Sequence, residues 1–213
     1  MIVANLKQLK DDVPAAVTVV AVSKTKPVDA IQQAYEAGHL DFGENKVQEL
    51  CQKHETLPKD IRWHMIGHLK RNKVKYIAPF VHLIHGVDSE RLLSEINKQG
   101  AINNRVIDVL LQIHIAEEST KFGFSYAEAV AILSKANTFE NVRIKGLMGM
   151  ASYTDNNAQL TSEFSGLQDF YNKLQASNNW TTLSMGMSND YKLAVSLGST
   201  MIRVGSLIFG SRN

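Results

Sequence analysis

The sequence predicts a single-domain α/β protein, a (β/α)8 TIM-like barrel built from the whole chain, residues 1–213. Three observations predict it. Short apolar, β-branched runs alternate with helical patterns almost from end to end. Eight such units follow one another without a linker, an internal repeat or a low-complexity tract. And 213 residues suit one domain with a sizeable core. A doubly wound open sheet is the rival arrangement of the same elements.

The elements read in order. A short helix spans about Ile2 to Lys10. Val17–Ser23 is the first strand, a continuous apolar run. Pro27 opens the next helix, whose face carries Val28, Ile31, Ala34 and Tyr35, and Gly38 caps it. Leu40–Gly43 is a second strand, followed by a helix over Asn45–His54. Arg62–Ile66 is the third strand, and the basic stretch His68–Tyr76 a third helix. Val81–His85 is the fourth strand; its helix starts near Ser89 and stops at Gly100. Arg105–Ile115 is the fifth strand, and Ser125 with Glu128 forms a capping box ahead of a helix. Ile144–Met150, Thr182–Met185 and Met201–Val204 complete the strands, with helices over Ala158–Leu174 and Tyr191–Leu197 between them.

Composition narrows the function. Charged residues make up 21% and the net charge is +2, too little for nucleic-acid or membrane binding by bulk electrostatics. The single cysteine, Cys51, reads as a reduced thiol. The first residues lack the apolar core of a signal peptide, and no run reaches the length of a membrane span, so a cytoplasmic protein is expected. A monomer is expected.

Active sites of such barrels lie at the C-terminal ends of the strands. Lys24 follows strand one; Gly43, Glu44 and Asn45 follow strand two; His64 lies in strand three. Gly186-Met187-Ser188 follows strand seven, and Gly205-Ser206 follows strand eight. The loops after strands seven and eight commonly hold phosphate, and glycines and hydroxyls there suit an anion. Ser188 is expected at a helix start, where free N–H groups add to that effect. Arg203 interrupts an apolar strand, so it needs buried partners or a ligand. By position alone Lys24 reads first as a surface lysine; it suits a Schiff-base amine if its pKa is lowered, with Lys26 as a candidate neighbouring cation or equally a surface charge.

Other features have plainer readings. Lys70, Arg71, Lys73 and Lys75 read as a solvated helix face. His64 and His68 have a ligand-like spacing, but on strand and turn rather than helix, so no metal is expected. The methionines of GLMGM and LSMGMS read as packing.

The segments AVSKTKP, GENKVQE, WHMIGHLKRNK, KGLMGM, LSMGMSND and GSTMIRVGSLIFGSR resemble the YggS/PROSC family of pyridoxal-phosphate-binding proteins, in the family's order and from about Val17 to Arg212. That family is similar to the barrel domain of alanine racemase. The resemblance implies pyridoxal 5′-phosphate (PLP) on Lys24 as a Schiff base. It implies a phosphate site at Ser188, Gly205 and Ser206, where threonine is more usual than Ser206. Arg203 would face the pyridine nitrogen, with Asn45 and His64 near the cofactor. It implies PLP homeostasis as a carrier or buffer, with PLP-dependent apoenzymes as recipients and without clear catalytic activity. A PLP-dependent amino-acid racemase is the alternative; the chain as given offers no evident second-face tyrosine. A Schiff-base aldolase acting on sugar phosphates is a further one.

Overall fold

The computed structural model describes residues 1–118 and 122–210. Ser211 and Arg212, which end the last of the motifs, lie outside them, as does Asn213.

The strands are β1 (Thr18–Val22), β2 (Asp41–Glu44), β3 (Arg62–Met65), β4 (Leu83–Val87), β5 (Ile107–Ile113), β6 (Val142–Gly149), β7 (Thr182–Ser184) and β8 (Met201–Val204). They close into a parallel barrel in chain order. Closure joins β8 to β1 in the register Thr18↔Met201, Val20↔Arg203 and Ala21↔Val204, so the segments after these two strands share one seam of the mouth. The helices are α1 (Ile2–Asp11), α2 (Val28–Glu36), α3 (Val47–Thr56), α4 (Val74–Ile77), α5 (Glu90–Ile102), α6 (Tyr126–Leu133), α7 (Asn157–Asn178), α8 (Tyr191–Ser196) and α9 (Ser206–Phe209).

Apolar residues divide between two cores because successive strand side chains point to opposite faces. The large one lies between strands and helices and includes Phe42, Trp63, Ile84, Leu147 and Leu183. The small one fills the barrel itself, with Val20, Leu83, Leu110, Met148 and Met201, against which Met150 packs. Polar residues, among them Asp41, His64, His85, Ser184 and Arg203, take other buried strand positions.

Most boundaries agree with the sequence reading, and the capping box at Ser125 and Glu128 forms with both reciprocal bonds. The differences have physical causes. The basic stretch His68–Tyr76 is not one helix: its buried apolar residues, Leu69 and Val74, stand five apart and off a common helical face, and a 3-10 turn over Arg71–Lys73 leads into the single turn α4. Pro27 is the N-cap rather than the first helical residue, with an extended ψ of 159°. α5 runs through Gly100 to Ile102, since Gly100 is where the helix passes close to the Asn141 and Arg105 carbonyls. α8 begins only at Tyr191, so Ser188 sits in the preceding turn and not at a helix start. α9 was not anticipated. No helix among the described residues is long and apolar enough to cross a membrane.

Candidate cofactor site at the barrel mouth

Lys24 lies half-buried in the turn that leaves β1. This turn is held from both sides. Ser23 Oγ donates to Glu44 Oε1 (2.6 Å). Lys53, on α3, donates to the Ser23 carbonyl (2.8 Å), to Glu44 Oε1 (2.8 Å) and to Glu49 Oε1 (2.7 Å). Glu49 Oε1 accepts the Thr25 N–H (2.6 Å). Thr25 takes φ +64°, a left-handed conformation that is costly for a β-branched residue. Two α3 side chains therefore grip the backbone on either side of Lys24. Burial pushes the Glu44 carboxyl above its ordinary value, and the bonds from Lys53 and Ser23 offset part of that.

Lys26, the candidate cation near Lys24, is engaged with the end of α9. Its Nζ donates to the carbonyls of Phe209 (3.2 Å) and Gly210 (3.1 Å), at the end of α9. It ties the loop after β1 to the segment after β8.

The two serine–glycine loops meet. The Gly205 N–H donates to Ser188 Oγ at a long 3.4 Å. A Cβ at Gly205 would lie 3.0 Å from the Val22 carbonyl, so the chain after β8 runs against the end of β1, two residues before Lys24. Gly186, at φ +97°, lets the chain turn out of β7 toward Ser188.

Arg203 is 4% exposed. Its Nη1 donates to Ser184 O (2.9 Å) and Ser184 Oγ (2.6 Å), and its Nη2 to Gly149 O (3.0 Å). Gly149 and Ser184 are the last residues of β6 and β7, so the guanidinium sits at the floor of the mouth. Burial lowers its pKa to about 10, with Asp190 acting in the opposite sense; it remains a cation at neutral pH. Asn45 follows β2, and its backbone packs on Gly67 at the end of the next strand.

His64 is placed differently from its sequence reading. It is fully buried inside the barrel, with Nε2 on Asp41 Oδ1 (3.0 Å) and Nδ1 on His85 Nε2 (2.9 Å). Neither nitrogen is left for a ligand at the mouth. His68 instead pairs with Asp88 (3.0 Å) and stacks on Phe122, so the two histidines are not brought together. Asp41, His64 and His82 do place one ligand atom each within 4.8 Å, but Asp41 is also bonded to Arg62, which already supplies a positive charge there. Lys73 and Lys75 lie over the Tyr76 ring, a solvated arrangement.

Sequence reasoning missed Ser23, Glu49, Lys53, Asp41, His85 and Ser184. The signal for the last three was polar residues inside apolar strands, the same signal that singled out Arg203.

An amine, a guanidinium and two hydroxyl-bearing glycine loops at one mouth are a donor set that fits a phosphorylated pyridine aldehyde. This is the class of barrel found at the N-terminus of alanine racemase, and the family model for that domain matches residues 1–213. Alanine racemase of Clostridium difficile shares the fold alone, with a TM-score of 0.79 at 14% identity, over 99% of this chain and 56% of that one. Nearer relatives are more specific. The pyridoxal phosphate homeostasis protein of Aquifex aeolicus is 38% identical over 89% of this chain and 85% of its own length. PipY of Synechococcus elongatus, solved without PLP, gives a TM-score of 0.94 at 35% identity, over 99% of this chain and 100% of that one. The same protein with PLP bound gives 0.90. The chain belongs to the pyridoxal phosphate homeostasis protein family.

Proposed function

We propose that this chain carries PLP, held covalently on Lys24 at the barrel mouth. Ser188, Gly205 and Ser206 bind the phosphate, Arg203 faces the ring nitrogen, and Asn45 lines the mouth. The observation that carries the reading is the seam between β1, β7 and β8: Ser188 and Gly205 are bonded to each other against the Val22 carbonyl, two residues before Lys24. His64 contributes indirectly, through the residues between it and Arg203.

When bound, PLP supplies an aldehyde open to amine exchange and a ring able to accept electron density. The residues favour holding over turnover. A cationic Arg203 disfavours protonation of the ring nitrogen, and an unprotonated ring is the weaker electron sink. The α3 clamp keeps the Lys24 backbone in place. Release to PLP-dependent apoenzymes, as a monomer in the cytoplasm, follows from that reading.

Borohydride reduction of the PLP-loaded protein, followed by peptide mass mapping, tests it. A phosphopyridoxyl group on Lys24 is expected. An adduct confined to another lysine, or none, overturns the proposal.

A further inference from the structure

We infer that Ser184, His85, His64 and Asp41 form a single hydrogen-bonded line across the barrel interior, and that Ser184 and His85 act through it as positioning residues for Arg203. The inference rests on the reading of Arg203 as the partner of the ring nitrogen and extends it to residues that touch no ligand.

The line starts at the mouth and ends at the opposite face. Arg203 Nη1 bonds Ser184 Oγ (2.6 Å), Ser184 Oγ bonds His85 Nδ1 (3.2 Å), His85 Nε2 bonds His64 Nδ1 (2.9 Å), and His64 Nε2 bonds Asp41 Oδ1 (3.0 Å). Asp41 closes it by pairing with Arg62, which is half exposed at the start of β3. The line joins β8, β7, β4, β3 and β2, crossing the barrel interior between β4 and β7. Ser184, His64 and His85 are fully buried.

Donor chemistry gives the line one direction. A guanidinium only donates, so Ser184 Oγ accepts from Arg203 and spends its own proton on His85 Nδ1. His85 is then protonated on Nε2 and donates to His64 Nδ1. His64 is protonated on Nε2 and donates to the Asp41 carboxylate. Every proton finds an acceptor, and both imidazoles are neutral. Burial, with His64 and Arg203 nearby, holds the His85 ring well below its ordinary pKa, consistent with that arrangement. The reverse order would give His64 a second proton and turn two donors onto Ser184 Oγ.

The consequence is rotational. Two backbone carbonyls fix the guanidinium in one plane, but the Ser184 hydroxyl is the only side-chain acceptor bonded to it among the described residues. That hydroxyl is oriented by His85, which is oriented by His64 and Asp41. Such chains polarise in a common sense, so each bond strengthens the next.

The test compares dissociation constants for PLP and for 1-deaza-pyridoxal 5′-phosphate, in which carbon replaces the ring nitrogen. The ratio reports on the Arg203–nitrogen contact and cancels general loss of stability. The parent protein is expected to prefer PLP about tenfold, the worth of one hydrogen bond to a charged group. Arg203→Met is expected to abolish the preference. Ser184→Ala, which removes one oxygen, and His85→Phe are each expected to cut it to about threefold or less. Lys135→Gln, in an exposed ion pair with Glu90 that involves no residue of the line, is expected to leave it intact. A preference absent in the parent or unaffected by Arg203→Met refutes the reading of Arg203. A preference abolished by Arg203→Met but retained in both Ser184→Ala and His85→Phe refutes the positioning line alone. Nitrogen-15 histidine NMR of the unloaded protein gives a second readout: both His64 and His85 are expected as Nε2–H tautomers, and an Nδ1–H on either overturns the proton order.

Discussion

Lys53→Met probes the clamp behind Lys24. Lys53 is almost wholly buried, Glu44 completely so, and Glu49 is partly open to solvent. Methionine keeps most of the side-chain volume and removes three bonds, to Ser23 O, Glu44 and Glu49. Removing one partner of a buried ion pair costs about 3–5 kcal/mol. Two features hold the cost near the lower figure: water reaches Glu49, and Glu44, whose pKa burial already raises, takes up a proton when its cation is gone. A loss of about 3 kcal/mol is expected, read as a lower urea midpoint at unchanged slope, and as a melting temperature lower by about 6–12 °C for a domain of this size. PLP affinity falls as well, because Glu49 and Lys53 together hold the Thr25 and Ser23 backbone. Adding Glu44→Gln to Lys53→Met removes the stranded carboxyl and is expected to restore at least about 1 kcal/mol, a coupling that a double-mutant cycle reads directly. A stability change under about 0.5 kcal/mol in the single variant, or no recovery in the double, refutes the reasoning.

Three more predictions rest on single features. Thr25→Gly relieves the left-handed strain at φ +64° and is expected to stabilise the unloaded protein by about 1 kcal/mol in calorimetry, after the entropic cost of glycine. Gly186→Ala, at φ +97° with its Cβ 2.7 Å from that of Ala194, is expected to cost about 2–3 kcal/mol in urea unfolding and to weaken PLP binding through Ser188. Burial lowers His39 from 6.5 to about 4, so its neutral ring contributes about 3 kcal/mol that is fully present above pH 6.5 and lost as the pH falls toward 4. His85 is shifted the same way, again chiefly by burial. Unfolding free energy measured across that window is expected to fall with acidification, and His39→Gln to flatten the slope.

The fold was legible because alternation of apolar strands and amphipathic helices is a local signal. Met201–Val204 was read to the residue, and the capping box of Ser125 and Glu128 fixed a helix start. Errors fell where local composition and burial part company. The basic stretch at 68–76 has helix-forming residues, but its buried apolar anchors, Leu69 and Val74, do not share a helical face. α9 is a single turn, too short to show a period. In the candidate site, Ser188 and Gly205 stood out by strand-end position and Arg203 as a charge inside an apolar strand, whereas Lys24 by position alone reads as a surface lysine. The clamp and the interior line were not, since each joins residues whose proximity depends on barrel closure and register. Asp41, His85 and Ser184 stand out in sequence only as polar residues inside apolar strands; the pairing of β2 with β3, β3 with β4 and β7 with β8, and the contact of β4 with β7 across the interior, set them in a row.

That row bears on what the barrel is for. The interior of such a barrel is ordinarily filled by layers of branched apolar side chains. Here the apolar filling is one small cluster, and Asp41, His64, His85, Ser184 and Arg203 occupy other interior positions. Burying polar and charged groups costs stability unless each is bonded, and a fully bonded ionic set at best breaks even against an apolar one. Stability therefore does not account for the arrangement, whereas a fixed guanidinium at the mouth does. With a pKa of about 10, Arg203 keeps its proton at pH 7 against about 4 kcal/mol. A ring nitrogen facing it stays an acceptor. The site we propose thus orients the cofactor while withholding the protonation that would make its ring strongly reactive, which is the behaviour a carrier needs.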